Sequence, residues 1–381
     1  MRKSGSAPVT KSSDGRPYLN YSQISEWLKC RYRWHLGVRR HIQTRAVMRA
    51  PELGSMVHAG MAVSMQHVAL TRVKGQLQRS VQDLQFEATM LAHDAIAEYA
   101  ERGIELRGGR KLLQREEVDM FDNLVEQSIG IVCKQLSLID FQRYETVLKG
   151  GKPVVETAVT MPMEDPESIF AAYHATVDWV LIDRELGAVF NADYKVRKAY
   201  TPEHAEEVNL QQTMYQRLLA YNGIPTDGTI MFQVKAQPPR EPELLASGKG
   251  LSRAAIVTDW ETYEATLRKH GFDPADYEDM KPKLDAVEWN RIEYTYRSAE
   301  ESRSIWERVV VPAAREIWQS KNLDQRAWNF MACNGCWART FCLSEVRSED
   351  LSFLLETQYV DMENPRNRVV LSPDDFVFVD G

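Results

Sequence analysis

Apolar residues in the first 150 positions recur mainly at helical spacing. From Ser22 to about Val38 this spacing predicts a helix that has Ser22 as its N-cap and carries Cys30. Longer helical patterns follow at about Leu53–Val73, Gln82–Arg102 and Glu116–Leu138. The first 150 residues are therefore predicted to be mainly helical.

The pattern changes after position 150 to short runs rich in β-branched residues. Val154–Met161, His174–Ile182 and Ala188–Val196 predict three successive strands, with Gly187 in the turn before the third. A helical pattern from Glu206 to Tyr221 precedes a fourth predicted strand, Thr229–Ala236. This order of elements predicts an α/β fold with a helical N-terminal layer.

Three further segments complete the predicted division of the chain. Residues 1–17 are rich in Ser, Gly, Lys and Pro without apolar periodicity, so we expect a flexible basic arm. Residues 237–298 mix Pro, Gly and charge, which favours an insertion or covering layer. A long helix from about Ala299 to Gln319, kinked at Pro312, is expected to lead to the cysteine-rich segment. The predicted boundaries are 1–17, 18–150, 151–236, 237–298, 299–345 and 346–381.

Composition is that of an ordinary globular protein, with 44% hydrophobic and 27% charged residues in 381. The chain opens without the apolar stretch of a signal peptide, and no segment approaches the roughly 18 apolar residues of a spanning helix. We therefore expect a cytoplasmic protein with no membrane partner. Five cysteines in such a chain favour metal binding over disulfides.

The net charge of −7 argues against a nucleic-acid partner, but its distribution is more informative. Residues 1–45 hold ten Lys and Arg against two acids, with aromatic residues between them. Such a pattern suits phosphates and stacked bases, and a solvated amphipathic helix explains it equally well. The candidate DNA contacts are Arg31, Arg33, Trp34, Arg39 and Arg40.

The end of the chain is acidic. After Cys342, nine acids face three arginines, and the last ten residues mix acids with Phe376–Val379. These residues could form an edge strand, engage a partner, or compete with DNA for the basic segment. Ordinary packing is the favoured interpretation.

Asp193 and Lys195 are two positions apart in a predicted strand, so their side chains share one face. Asp178 lies in the preceding strand, and hairpin pairing would bring the two aspartates together. Two carboxylates suit Mg²⁺ or Mn²⁺, and the lysine could orient or help deprotonate an attacking water. Taken alone, an Asp-x-Lys pair is more often a salt bridge. The same spacing recurs at Asp279 and Lys281, outside any predicted strand, where we interpret it as surface charge.

Neighbouring residues strengthen the functional interpretation. His58, four positions after Gly54 at the start of a predicted helix, could supply a nitrogen ligand, although a lone histidine is more often structural. Gln211 and Tyr215 lie on one face of the helix that follows Lys195. Glu156, in the first predicted strand, could reach the metal directly or through water.

In this order the motifs resemble those of the RecB-like branch of the PD-(D/E)XK nuclease superfamily, over roughly residues 20–235. The resemblance implies a restriction-endonuclease-like core with a mixed central sheet flanked by helices. Val196 departs from the Thr or Ser that usually follows the lysine. The implied site comprises the metal ligands His58, Asp178, Asp193 and the backbone carbonyl of Tyr194, with Lys195, Gln211 and Tyr215 acting beside the two aspartates in catalysis.

The cysteines form a second constellation. CNGCWARTFC spaces Cys333, Cys336 and Cys342 by two and five residues, so a four-thiolate site needs one distant ligand. Cys30 and Cys133 are the candidates, and Cys133 lies in an apolar helical run that suits a buried structural thiol. Spacing alone leaves zinc and an iron-sulfur cluster open. The arrangement resembles iron-staple nucleases of the AddB and CRISPR-adaptation type, which implies a 4Fe-4S cluster on Cys30 and the three C-terminal cysteines.

We therefore expect a metal-dependent DNA exonuclease that acts on single-stranded ends in recombination, repair or phage DNA processing. The alternatives are a catalytically silent homologue that binds DNA or a partner, and an iron-sulfur redox protein. The sequence contains no G-x4-G-K-S/T loop, so any unwinding would require a helicase partner.

Overall fold

The computed structural model describes residues 12, 15–44, 49–73, 80–106, 110, 115–202, 205–254 and 257–361. Most of the predicted arm at 1–17, and the tail after position 361, lie outside the described residues. The helices are α1 (Tyr21–Lys29), α2 (Arg31–Trp34), α3 (Arg49–Val73), α4 (Val81–Leu106), α5 (Arg115–Leu138), α6 (Leu210–Tyr221), α7 (Trp260–Lys269), α8 (Lys281–Asp285), α9 (Ala299–Ile305), α10 (Val311–Gln319), α11 (Phe330–Cys333), α12 (Arg339–Val346) and α13 (Ser352–Thr357). The strands are β1 (Tyr18–Leu19), β2 (Ile42–Thr44), β3 (Tyr144–Thr146), β4 (Leu148–Lys149), β5 (Lys152–Pro153), β6 (Val155–Pro162), β7 (Ala172–Asp183), β8 (Ala188–Arg197), β9 (Gly228–Lys235), β10 (Asn290–Tyr296) and β11 (Tyr359–Asp361).

A mixed sheet forms the centre of the fold, in the order β1-β7-β8-β9-β10, with β3 and β6 also paired to β7. Strands β6, β7 and β8 run antiparallel in succession, and Gly187 adopts φ +64° in the turn between β7 and β8. Strands β8 and β9 are parallel, with α6 in the connection between them. The predicted α/β fold with a mixed central sheet is confirmed.

Two hydrophobic cores cover the two faces of this sheet. The first core joins the sheet to α3, α4 and α5, which confirms the predicted helical N-terminal layer; its residues include Met56, Ile96, Phe121, Trp179, Phe190, Ala192, Tyr194 and Phe232. The second core joins the sheet to α6 and the C-terminal helices; its residues include Val177, Val180, Met214, Leu218, Trp306 and Ile317. No described helix is both long and apolar enough to cross a membrane.

The segment 237–298, expected to be an insertion or covering layer, contains a strand of the central sheet. β10 pairs with β9 along its whole length, from Asn290 opposite Val234 to Tyr296 opposite Gly228. Charged residues alternate with Ile292 and the tyrosines in this edge strand, so its sequence has too little apolar character to predict a strand. The rest of the segment folds around a small core of its own, which contains Leu251, Tyr263, Leu267, Tyr277, Met280 and Leu284.

The helix predicted from Ser22 to Val38 is broken at Cys30. Asn20, rather than Ser22, caps α1, because its side chain accepts a hydrogen bond from the Gln23 backbone N–H. Cys30 has extended backbone angles (φ −165°, ψ 113°) between α1 and α2, so it does not lie on a helix as predicted. The break brings its Sγ to 3.5 Å from the Ala327 backbone nitrogen, close to the C-terminal cysteines.

The predicted long helix near the C-terminus is interrupted before Pro312. A π-helical turn, Trp306–Val310, separates α9 from α10, and Pro312 lies in the first turn of α10. Proline cannot donate the usual backbone hydrogen bond, and a wider turn before it accommodates that loss.

Candidate active site

The two aspartates lie where β7 and β8 stop pairing. The last pair in the ladder on this side is Trp179 opposite Ala192, and Asp178 and Asp193 are the next residues on each strand. Because the strands are no longer joined beyond this point, their carboxylates face an opening rather than a continuous sheet.

An irregularity in β6 and β7 turns acidic side chains toward this opening. In a regular strand, Val177 and Trp179 would share a face. Instead, Val177 packs in the second core and Trp179 in the first, so the alternation of β7 changes phase at Asp178. Glu156 lies opposite Asp178, between the pairs Val155–Trp179 and Thr157–Val177 of β6 and β7. Its φ is +44°. That left-handed conformation is unusual for a glutamate and strains the backbone beside the two aspartates.

His58 reaches the carboxylates from the helical layer. The helix begins at Arg49, earlier than predicted, which places His58 in its third turn. Its Nδ1 lies 3.2 Å from Asp178 Oδ2 and 3.9 Å from Glu156 Oε1. Its Nε2 lies 2.8 Å from the Tyr194 carbonyl oxygen, which therefore borders the same group.

His58, Asp178 and Asp193 offer ligand atoms that all lie within 4.8 Å of one another. One imidazole and two carboxylates fit Mn²⁺ or Mg²⁺ in their donor chemistry, since hard divalent ions prefer oxygen and accept imidazole. Burial, together with the nearby Asp193 and Glu156 charges, raises the pKa of Asp178 well above its usual range. Three acidic side chains, Glu156, Asp178 and Asp193, thus lie around one imidazole and one ammonium group, which is the electrostatic environment of a cation site.

Two positive groups balance part of that charge. Burial lowers the pKa of His58, but Asp178 and Glu156 outweigh burial and raise it to about 9. Lys195 Nζ lies 2.8 Å from Asp193 Oδ1. Burial lowers the pKa of Lys195, but the charges of Asp193 and Asp178 outweigh burial and raise it. In turn, burial raises the pKa of Asp193, but Lys195 outweighs burial and holds that pKa below its usual value. Lys195 is therefore an ammonium ion at neutral pH.

Gln211 and Tyr215 lie on one face of α6, as predicted. Gln211 Nε2 donates to Tyr215 Oη at 2.8 Å, and Asn209 caps the helix by accepting from the Gln211 backbone N–H. Burial and then the charges of Asp178 and Asp193 raise the pKa of Tyr215, so its neutral hydroxyl faces the acidic group.

A further glutamine, not predicted from the sequence, contacts the site directly. Gln212 Nε2 donates to Asp193 Oδ2 at 2.7 Å, and Gln212 Oε1 accepts from Asn191 Nδ2 at 2.6 Å. For Asn191, the sequence did contain a signal: strand alternation in β8 places it on the same face as Asp193.

The predicted cysteine ligands converge. Cys30, Cys333, Cys336 and Cys342 line one cavity of about 320 Å³. Beside it, N-terminal and C-terminal segments pack together in a third core of Tyr32, Leu36, Ile42, Ala338, Phe341, Leu354 and Tyr359, and β2 pairs with β11. Cys133 does not line this cavity; it is half-buried on α5, where burial raises the pKa of its thiol.

The basic N-terminal segment differs from its predicted role in DNA contact. Trp34 is only 1% exposed and packs edge-on against Trp27, so the expectation that its ring contacts DNA is wrong. Its apolar ring is needed in the second core.

Several arginines of this segment form ion pairs within the protein. Arg33 pairs with Glu26, Arg31 with Glu316 at 2.9 Å, and Arg40 with Glu345 at 3.4 Å, while Arg39 lies over the Trp34 ring. Acids distant in sequence therefore neutralise part of the local excess of positive charge. The second Asp-x-Lys pair is surface charge, as interpreted, with Asp279 bound to Arg253 at 2.7 Å.

Comparison with known proteins agrees with this geometry. No curated protein matches the chain. A family model described as the PD-(D/E)XK nuclease superfamily matches residues 18–343, well over half of the 381 residues. The match spans the central sheet and the strands and helices that carry the histidine, the aspartates and the lysine, so the chain belongs to the PD-(D/E)XK nuclease superfamily.

Proposed function

We propose that this protein is a metal-dependent DNA exonuclease of the RecB-like branch that hydrolyses phosphodiester bonds from single-stranded ends. The observation that carries the proposal is the convergence of His58, Asp178 and Asp193, with Lys195 at 2.8 Å from Asp193, in a nuclease-superfamily fold. Recombination, repair or phage DNA processing would use such an activity, together with a helicase or recombination partner for duplex substrates.

The proposed roles follow from the geometry. His58, Asp178 and Asp193 would hold Mg²⁺ or Mn²⁺, with Glu156 and the Tyr194 carbonyl beside them. When bound, the ion would polarise the scissile phosphate and acidify a water molecule. Lys195, as an ammonium ion, orients the attacking water and stabilises negative charge that develops on the phosphate.

The four convergent cysteines support a 4Fe-4S cluster, with structural Zn²⁺ as the alternative. Their cavity of about 320 Å³ far exceeds the ~10–15 Å³ that holds one water molecule. Among the described residues, no three of these sulfurs lie within 4.8 Å of one another, whereas sulfurs on one tetrahedral zinc lie about 3.8 Å apart. A cluster there would join the N-terminal segment to α11 and α12.

Exposed aromatic residues beside this cavity offer a better surface for single-stranded DNA than the buried Trp34. Trp328 and Phe330 line the cavity and are 57% and 78% exposed. Arg339, also exposed, lines it too and forms no ion pair with any described acid. Stacked bases on the two rings and a phosphate on the guanidinium would suit this composition.

The nuclease proposal is tested by digesting end-labelled linear DNA, single-stranded and double-stranded, with Mg²⁺, Mn²⁺ or EDTA. Lys195→Ala should lower the rate by at least about 100-fold, the usual effect of removing a group that stabilises transition-state charge. Lys281→Ala is the matched control, since its Asp-x-Lys pair lies on the surface and its activity should equal wild type. Circular single-stranded DNA should resist cleavage, because an exonuclease needs an end.

The outcomes separate the alternatives. Tight DNA binding without metal-dependent cleavage would favour the catalytically silent homologue. Cleavage of circular DNA would replace the exonuclease with an endonuclease, and cleavage unaffected by Lys195→Ala would overturn the proposed site.

The cluster proposal is tested by iron, sulfide and zinc analysis after anaerobic purification. We expect about four irons and four sulfides per chain, as a 4Fe-4S cluster requires. Cys336→Ser should lose most of the iron, whereas Cys133→Ser should retain it. Stoichiometric zinc without sulfide would establish the zinc alternative.

A further inference from the structure

A short hydrogen-bonded chain of amides ends on the Asp193 carboxylate. Asn191 Nδ2 donates to Gln212 Oε1 at 2.6 Å, and Gln212 Nε2 donates to Asp193 Oδ2 at 2.7 Å. Asn191 and Asp193 have no exposed surface and Gln212 is 1% exposed, so water does not compete for these contacts. Asn191 and Asp193 are two residues apart on β8, and Gln212 reaches both from α6.

The chemistry of the three groups fixes the direction of this chain. A carboxylate only accepts hydrogen bonds, so the Gln212 amide must present its NH₂ group to Asp193. Its carbonyl oxygen then faces Asn191, which must present an NH₂ group in turn. Asn191 therefore acts on Asp193 through Gln212, by preventing the glutamine amide from reversing.

This arrangement leaves the side-chain carbonyl oxygen of Asn191 without a partner among the described residues. Asn191 Oδ1 is buried and makes no hydrogen bond to any described residue. A buried unsatisfied polar atom usually destabilises a protein by about 1–3 kcal/mol, and a leucine at the same position would avoid that loss. Stability alone does not account for an asparagine here, whereas an oriented donor toward Asp193 does.

We propose that Asn191 and Gln212 are positioning residues that fix the Asp193 carboxylate for metal binding; this rests on the proposed metal-dependent function. Lys195 Nζ lies 2.8 Å from Oδ1 as an ion pair without an aligned hydrogen bond, whereas Gln212 donates a directed hydrogen bond to Oδ2. Gln212 therefore supplies the directional restraint on the orientation of the carboxylate. In this orientation a carboxylate oxygen of Asp193 lies within 4.8 Å of the ligand atoms of His58 and Asp178. Without Gln212, the carboxylate would be held at one oxygen only and could rotate away from the other ligands.

The test is Mn²⁺ binding to the full-length protein without DNA, measured by electron paramagnetic resonance of free Mn²⁺. Gln212→Met retains the length of the side chain but removes the donor. It should weaken Mn²⁺ binding by about 10- to 100-fold, the usual range when a group that orients a metal ligand is removed. Raising the Mn²⁺ concentration should then restore most of the cleavage rate.

Gln216→Met is the matched control. Gln216 is also a buried glutamine of α6, but its Nε2 donates to the Thr226 and Arg297 carbonyl oxygens. Its substitution removes hydrogen bonds from the same helix and should leave Mn²⁺ affinity within about twofold of wild type, because neither partner touches Asp193.

Asn191→Leu supplies the second variant. It should weaken Mn²⁺ binding in the same direction as Gln212→Met, and the double variant should bind no more weakly than Gln212→Met alone, because Asn191 acts through Gln212. Wild-type affinity in both single variants would overturn the relay while leaving the metal site intact. Absence of Mn²⁺ binding to the wild-type protein would instead overturn the proposed metal site.

Discussion

Glu156 provides a sharp test of the strained strand beside the site. Its φ of +44° lies in the left-handed region, where a side chain is unfavourable and glycine is not. We compare Glu156→Gly with Glu156→Ala. Both variants remove the same carboxylate from the same cluster, so the difference between their stabilities isolates the backbone conformation.

The expected difference has a definite sign. At an ordinary strand position, glycine destabilises a protein relative to alanine by about 0.5–1 kcal/mol. At a left-handed position, glycine is instead the more stable residue, because the contact between the alanine Cβ and the following carbonyl oxygen costs about 1–2 kcal/mol. With φ at +44°, Glu156→Gly should therefore be more stable than Glu156→Ala by about 1 kcal/mol.

The measurement is urea denaturation in EDTA, followed by two independent probes, with the free energies of unfolding compared at equal m-values. Both variants should also lose part of the stabilisation that Mn²⁺ gives to wild type, because both lack the carboxylate beside His58. If Glu156→Ala proves more stable than Glu156→Gly, the backbone at this position is not left-handed, and the argument for a strained site fails.

Three further predictions concern other parts of the molecule. Burial raises the pKa of Asp183, but hydrogen bonds from Arg143 and Tyr294 outweigh burial and hold that pKa below its usual value. The ionised Asp183 therefore stabilises the folded protein fully above the unfolded pKa of about 3.9, and this stabilisation disappears as the pH falls through the lower folded pKa. Asp183→Asn should lose about 2 kcal/mol in urea denaturation at pH 7 and clearly less at pH 3, and an equal loss at both would contradict this. Lys195→Ala should destabilise the metal-free protein by about 3 kcal/mol in the same assay, because Asp193 is fully buried, and an unchanged stability would show that the pair is not formed. Trp328→Ala should weaken binding to single-stranded DNA by about 1–3 kcal/mol in fluorescence anisotropy, and unchanged affinity would remove its ring from the DNA surface.

Long periodic segments could be predicted from the sequence because each carries its own burial pattern. The helices α3, α4 and α5 and the strands β6 to β9 lie close to their predicted positions. β10 was missed because Arg291 and Glu293 separate its few apolar residues, so the segment has the composition of a polar loop. β1 and β3 are two and three residues long, too short for a pattern, and form only by pairing with β7.

The candidate site divides in the same way. Asp193 and Lys195 follow from strand periodicity, and Asp178 follows from the hairpin. Gln212 could not be predicted, because neighbouring residues on a helix point about 100° apart and only the packing of α6 on the sheet decides which one faces Asp193. The sequence motif drew attention to its neighbour, Gln211.

The basic segment shows why local charge is an unreliable guide to a binding surface. A count over residues 1–45 includes the arginines but omits Glu316 and Glu345, which lie about 300 positions later and pair with Arg31 and Arg40. Aromatic residues mislead similarly, since Trp34 is buried whereas Trp328 is exposed. Both errors arise because tertiary contacts bring distant residues together.

Three features that lower the stability of the folded protein lie close to Asp178 and Asp193. Glu156 is held at positive φ, Glu156 and Asp178 are like charges on adjacent strands, and Asn191 keeps a buried acceptor without a partner among the described residues. Each cost could be removed by a common substitution, namely glycine, an amide and leucine respectively. Features of this kind also occur elsewhere among the described residues, such as the positive φ of Trp328 and the buried Trp306 indole N–H without a hydrogen bond, so none of them marks a site by itself. Around Asp178 and Asp193 they coincide with ligand atoms of His58, Asp178 and Asp193 that lie within 4.8 Å of one another, and this coincidence is a physical reason to locate function there.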